Sequence, residues 1–62
     1  MKLDELYKYY GNNWQNVVRE LKIGSNTIYK WRQRGHIPIK SQMVIEKRTG
    51  GLFKARTIDA EV

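Results

Sequence analysis

The chain has 62 residues, with twelve Lys and Arg against six Asp and Glu, a formal net charge of +6, and no cysteine. A chain this short buries only about 60% of the surface that its unfolded form exposes, so we expect a single domain over residues 1–62. The lack of cysteine excludes a disulfide framework and a thiolate metal site. The charge favours a polyanion or an anionic membrane surface as partner, and nucleic acid is the commonest of these.

The first two predicted helices each carry one apolar stripe. A helix over residues 3–10 is indicated by apolar side chains three and four residues apart, namely Leu3, Leu6, Tyr7 and Tyr10. Gly11 suits a left-handed cap for this helix, and Asn12 and Asn13 suit the start of the next. In the second helix, over residues 14–22, the apolar residues lie within an arc of about 100°: Trp14, Val17, Val18 and Leu21. For Tyr7, Tyr9 and Tyr10 we favour packing under the first helix over stacking on single-stranded bases.

The third and fourth helices are marked by breaks between the apolar stripes. Ile23-Gly24-Ser25 interrupts the second stripe, with Ser25 as the expected N-cap of a third helix over residues 25–34, and Gly35 follows its end. Pro38 suits the first turn of a fourth helix over residues 38–49, closed by Gly50-Gly51. Its apolar residues spread around the helix: Ile39, Met43, Val44 and Ile45. We therefore expect this helix to pack on more than one side, with a second subunit as one partner.

Residues 52–62 leave two interpretations open. Ile58, Ala60 and Val62 alternate as in an edge strand, whereas the run from Ala55 to Ala60 fits a short helical turn. We favour the helical turn. The expected fold is thus a compact all-α domain of four to five helices, with a tail that forms a short helix or a strand.

The spacing over residues 14–34 is typical of a helix-turn-helix DNA-binding unit. With Ile28 and Trp31 in the core, the opposite face of the third helix is polar, with these residues: Ser25, Asn26, Tyr29, Lys30 and Gln33. Asn26 can pair with adenine, Lys30 can donate to guanine, and Tyr29 can contact a thymine methyl. Such a face is most often only solvated, but the net charge and the short turn favour DNA.

Other side chains near this face suit the phosphate backbone, which fixes register without reading sequence. The predicted phosphate contacts are Gln15 at the start of the second helix, together with Thr27, Gln33 and Arg34. Lys22, Arg32 and Lys40 add positive charge nearby.

The segment from Val17 to Trp31 resembles the helix-turn-helix of the lambdoid phage Cro repressors and of related bacterial Cro-like and YdaS-type regulators. The resemblance lies in apolar residues at Val17, Leu21, Ile23, Ile28 and Trp31, and in a later run, Ile37-Pro38, Ile45-Glu46 and Thr49-Gly50-Gly51. It implies a lambda-repressor-like fold in which bases are read from the positions of Ser25, Asn26, Tyr29 and Lys30. The chain departs from the family pattern at two positions. Val18 stands where many members have Ala, and Lys22 stands where a Gly usually ends the second helix. These differences bear on the angle between the two helices rather than on the class of protein.

These observations predict a Cro-like repressor that binds a pseudo-palindromic operator in double-stranded DNA, with helix 25–34 in the major groove. One recognition helix reaches about four base pairs, too few to select a genomic site, so we expect a homodimer. Its surface should involve the fourth helix and the tail, where Leu52 and Phe53 need burial. We expect weak pairing in solution that is completed on DNA.

Other functions are less well supported by the sequence. The acidic residues are scattered and the one histidine, His36, has no partners for a metal site, so we expect no enzyme, no metal, no cofactor and no small-molecule ligand. The alternative is an antitoxin-type or adaptor protein whose main partner is another protein, with DNA binding as autoregulation. Because no signal peptide or membrane span is recognisable, we expect the cytoplasm of a bacterial host cell.

Overall fold

Four α-helices and one 3₁₀ helix form the regular structure of the computed structural model, which describes residues 1–60. The elements are α1 (Leu3–Tyr9), α2 (Trp14–Leu21), α3 (Ser25–Arg34), α4 (Ile39–Arg48) and the 3₁₀ helix η1 (Thr57–Ala60). The described residues contain no strand, so the all-α prediction is confirmed. The tail forms the short helix that we favoured, and Val62, part of the strand interpretation, lies outside the described residues.

The helix ends agree with the predicted bounds to within one residue. Asn13 caps α2 by accepting a hydrogen bond from the Gln15 backbone N–H, at 2.9 Å. The prediction of Ser25 as the N-cap of α3 was wrong. The N-cap is Gly24, because its carbonyl accepts the first helical hydrogen bonds, from the Thr27 and Ile28 backbone N–H groups. Ser25 is therefore the first residue of the helix, and its side chain is exposed.

The turn between α2 and α3 begins with a strained residue. Lys22 has φ 55° and ψ 44°, the left-handed conformation in which glycine is usual at a helix end. The Arg48 side chain of α4 reaches this turn and donates a hydrogen bond to the Leu21 carbonyl, at 2.6 Å. The bond satisfies one of the last carbonyls of α2 and ties α4 to the turn.

The core lies where all four helices meet. Of the predicted apolar residues of the first three helices, it contains Leu6, Val17, Leu21, Ile28 and Trp31, and four more pack half-buried at its edge: Leu3, Tyr10, Trp14 and Val18. Residues after α3 complete it, and the buried hydrophobic side chains are Met1, Leu6, Val17, Leu21, Ile28, Trp31, Ile37, Ile45 and Phe53. Burial of Ile28 and Trp31 together holds α3 by one face and leaves the other face in solvent.

A buried polar cluster joins the start of the chain to its last described turn. Gln42 is fully buried, and its Oε1 accepts hydrogen bonds from the Met1 amino group at 2.7 Å and from the Arg56 backbone N–H at 2.9 Å. Its Nε2 donates to the Ile37 carbonyl at 2.8 Å. The same amino group lies 3.2 Å from Asp59 Oδ2. Sequence patterns did not predict this cluster, because its members are far apart along the chain.

The aromatic residues at the end of α1 cover Phe53. The Tyr9 and Tyr10 rings lie 5.3 Å and 6.2 Å from the Phe53 ring, centroid to centroid, and Phe53 is buried. The expectation that Phe53 needs a second subunit for burial was therefore wrong, because its own chain covers it. Leu52 stays exposed. Burial raises the pKa of the Tyr10 hydroxyl, with smaller contributions from Tyr9 and Glu20.

Candidate nucleic-acid interface

All eight side chains predicted to contact DNA are exposed. Seven of them belong to α3, which packs against α2 and is anchored by Ile28 and Trp31, each 3% exposed. At 100° per residue, Asn26 and Gln33 point directly away from these anchors, with Tyr29 and Lys30 on either side of them. The outward face of α3 is thus an array of hydrogen-bonding groups on a fixed helix.

One flank of α3 faces the start of α2. Gln15 and Trp14 of α2 line a shallow groove together with three of the predicted base-contacting residues, Ser25, Asn26 and Tyr29. The structure therefore brings a side chain at the amino-terminal end of α2 next to the outward face of α3. That arrangement lets one surface present both helices to the same ligand.

The other flank of α3 faces α4. Thr27 lines a separate groove there, with Lys22, Ser41 and Val44 among its neighbours. Thr27 thus lies across α3 from Gln15, and the two predicted phosphate contacts border opposite sides of the outward face. Arg34, seven residues after Thr27, continues along the same side of the helix.

The charge of the chain is unevenly distributed around this surface. Residues 21–45 contain no Asp or Glu, and their cations are Lys22, Lys30, Arg32, Arg34 and Lys40. Elsewhere, Glu46 accepts a hydrogen bond from the Ala55 backbone N–H at 2.6 Å, and Asp59 is paired with the Met1 amino group. The segment that contains α3 is therefore uniformly basic, and its field attracts a polyanion.

Arg32 is a candidate contact that the sequence reasoning treated only as nearby charge. Its guanidinium carbon lies 5.4 Å from the centroid of the Trp14 ring, and its side chain is exposed at the groove between α2 and α3. The signal was present in the spacing, because Arg32 follows Ser25 by seven residues and so lies on the same line of the helix. What the spacing could not show was the aromatic ring of another helix beneath it.

The side chains that commonly bind metals are dispersed over the described part of the chain. Within residues 1–60, no three His, Asp or Glu side chains converge as a metal site would require. His36 is half-buried, and its Nδ1 lies 3.3 Å from the Arg34 carbonyl oxygen. None of the helices in this part combines the length and the apolar character needed to cross a membrane.

Comparison with known proteins adds no relative. No protein-family model, no curated protein and no solved structure matches the chain.

Proposed function

We propose that this protein is a sequence-specific double-stranded DNA-binding repressor of the Cro-like kind, with α3 in the major groove. The observation that carries the proposal is the division of α3 into two faces. Ile28 and Trp31 fix the helix in the core, while the opposite face exposes only polar and basic side chains and Tyr29. A helix held in this way can enter a major groove as a rigid reader of base edges.

The roles within the interface follow from position on α3. Asn26, Tyr29 and Lys30 lie on the outward face and are assigned to bases, with Ser25 at the first position of the helix. Gln15, Thr27 and Arg34 lie on the flanks and are assigned to phosphates. Gln33 also points outward, but it lies at the carboxyl-terminal end of α3 and is assigned to a phosphate there.

A homodimer on a pseudo-palindromic operator is part of the proposal. A single α3 spans too few base pairs for genomic selectivity, so two copies related by a two-fold axis are required. Exposed apolar side chains of α4 and the following loop support a protein contact there: Met43, Val44 and Leu52. Repression would then follow from occupation of promoter DNA in the cytoplasm of a bacterial host.

The class of nucleic acid is tested by competition. A labelled DNA duplex is bound by the chain, and equal masses of duplex DNA, duplex RNA and single-stranded DNA are added as competitors. We expect duplex DNA to compete best, because the deep and narrow major groove of duplex RNA does not admit a helix. Stronger competition by RNA or by single strands would contradict the proposal, as would the absence of any binding.

A further inference from the structure

Arg32 and Trp14 form a contact that links α3 to the start of α2. The 5.4 Å from the guanidinium carbon to the ring centroid is within the range of a cation–π interaction. Arg32 nevertheless remains exposed, so its N–H donors still face solvent. The contact therefore restricts where the guanidinium lies without burying it.

Trp14 is itself held in place by a contact with α1. The Tyr7 ring of α1 lies 4.7 Å from the Trp14 ring, centroid to centroid, and Trp14 packs half-buried against the core. A side chain resting on Trp14 is thus supported by packed elements rather than by a mobile loop.

We propose that Arg32 contacts a DNA phosphate at the edge of the major groove and that Trp14 positions its guanidinium for that contact. The inference rests on the proposed DNA binding. Arg32 lies on the flank of α3 that faces α2, away from the outward direction of Asn26, where the base edges would lie. A DNA phosphate matches the planar guanidinium, which can donate two parallel hydrogen bonds to it.

Positioning by Trp14 has a physical consequence for affinity. A free arginine side chain loses rotamer freedom when it binds, and a guanidinium already resting on a ring loses less. Among residues 1–60 the ion pairs are Met1–Asp59 and Arg56–Asp59, so no carboxylate of this part of the chain is paired with Arg32. Arg32 is therefore better suited to a fixed phosphate contact than an unsupported surface cation such as Lys47.

The salt dependence of binding tests the phosphate contact. Arg32→Ala is compared with the unmodified chain by fluorescence anisotropy over a salt series, on the tightest duplex selected from a random pool and on an unrelated duplex. We expect the slope of log K against log salt to fall by about 0.9, the value for one phosphate. Affinity for both duplexes should fall by the same factor, about tenfold. Lys8→Ala, which removes an equal charge from an exposed position of α1, should change the slope less.

The role of Trp14 is tested by a double-mutant cycle. Trp14→Leu should weaken binding about two- to fivefold in the unmodified background and have no further effect when Arg32→Ala is already present. Trp14→Phe, which keeps an aromatic face, should restore most of the affinity. Thermal melts followed by circular dichroism confirm that each variant is folded at the temperature of the titration.

The outcomes separate this inference from the function on which it rests. An unmodified chain that binds no duplex overturns both. If the unmodified chain binds and Arg32→Ala leaves slope and affinity unchanged, only the inference is overturned. Loss of sequence discrimination in Arg32→Ala would show base reading instead of a phosphate contact. An equal loss from Trp14→Leu in both backgrounds would show that Trp14 does not act through Arg32.

Discussion

Asn26 and Lys30 differ from Arg34 in what they face, although all three are exposed on α3. Base-edge contacts carry sequence information, and phosphate contacts do not. We expect Asn26→Ala or Lys30→Ala to cost about 1–3 kcal/mol of operator binding and to relax preference at one or two base pairs. Arg34→Ala should weaken all duplexes alike and reduce the salt slope.

These effects are measured by titrating each variant against the selected duplex and a set of single-base variants of it. Folding of the variants is not expected to differ, since the side chains are exposed. Intact discrimination in Asn26→Ala would show that α3 is not the reading helix.

The burial of Gln42 was not predicted from the sequence, and we expect its substitution to have a large effect on stability. Its side chain makes hydrogen bonds to the Met1 amino group, the Arg56 N–H and the Ile37 carbonyl. Gln42→Ala removes one partner from each of these buried or partly buried groups, at a cost of about 1–3 kcal/mol for a group left unpaired. We expect a loss of about 3 kcal/mol or more in the free energy of unfolding, measured by urea denaturation.

The neighbouring Met43→Ala is the matched control, because Met43 lies on the same helix with its side chain 59% exposed. It should change the free energy of unfolding by less than about 0.5 kcal/mol. Equal effects of the two substitutions would contradict the account of the buried cluster.

At the level of elements, the turn after α2 is the clearest point of strain. Lys22 holds φ 55°, a conformation that costs a residue with a side chain about 1–2 kcal/mol and that glycine adopts freely. After allowance for the greater freedom of glycine in the unfolded chain, Lys22→Gly should stabilise the protein by about 0.5–1 kcal/mol. For a domain of this size the melting temperature should rise by about 2–8 °C.

Lys22→Ala separates backbone strain from charge, because it removes the ammonium group but keeps the Cβ atom. We expect no stabilisation from Lys22→Ala in the same thermal melts. A rise in melting temperature as large as that of Lys22→Gly would show that charge repulsion, and not the left-handed backbone, destabilises the turn.

Elements bounded by local signals could be predicted from the sequence. The bounds of α3 follow from Gly24 and Gly35, and its buried face follows from the spacing of Ile28 and Trp31. Contacts between distant residues could not be predicted in this way. Gln42 reads locally as an ordinary polar helix residue, and its burial depends on partners at both ends of the chain.

Some features of the candidate site could likewise be predicted from the sequence, and others depend on packing between helices. Exposure of the polar face of α3 follows from which residues are buried, so its members could be named from spacing alone. The Arg32 contact could not, because it depends on how α2 packs beside α3 and brings the Trp14 ring beneath the guanidinium. Thr27 and Gln15 could each be predicted as a phosphate contact from the sequence. That they lie on opposite flanks of α3 follows only from how the helices pack.

For the whole molecule, we expect a monomer in solution that pairs on DNA. Phe53 is covered within its own chain, and the exposed face of α4 carries Lys40 and Lys47 around Met43 and Val44. A symmetric contact of two such faces would oppose like charges, which weakens pairing without DNA. Sedimentation at micromolar concentration should give the mass of one chain, and a tight dimer at low concentration would contradict this.

The central claim is that α3 reads duplex DNA and that two copies read it together. Selection of bound duplexes from a random pool tests this most directly. We predict a palindromic consensus whose half-sites lie about one helical turn apart, because each half is read by one α3. Failure to enrich any sequence, or enrichment of a single site without symmetry, would contradict the account.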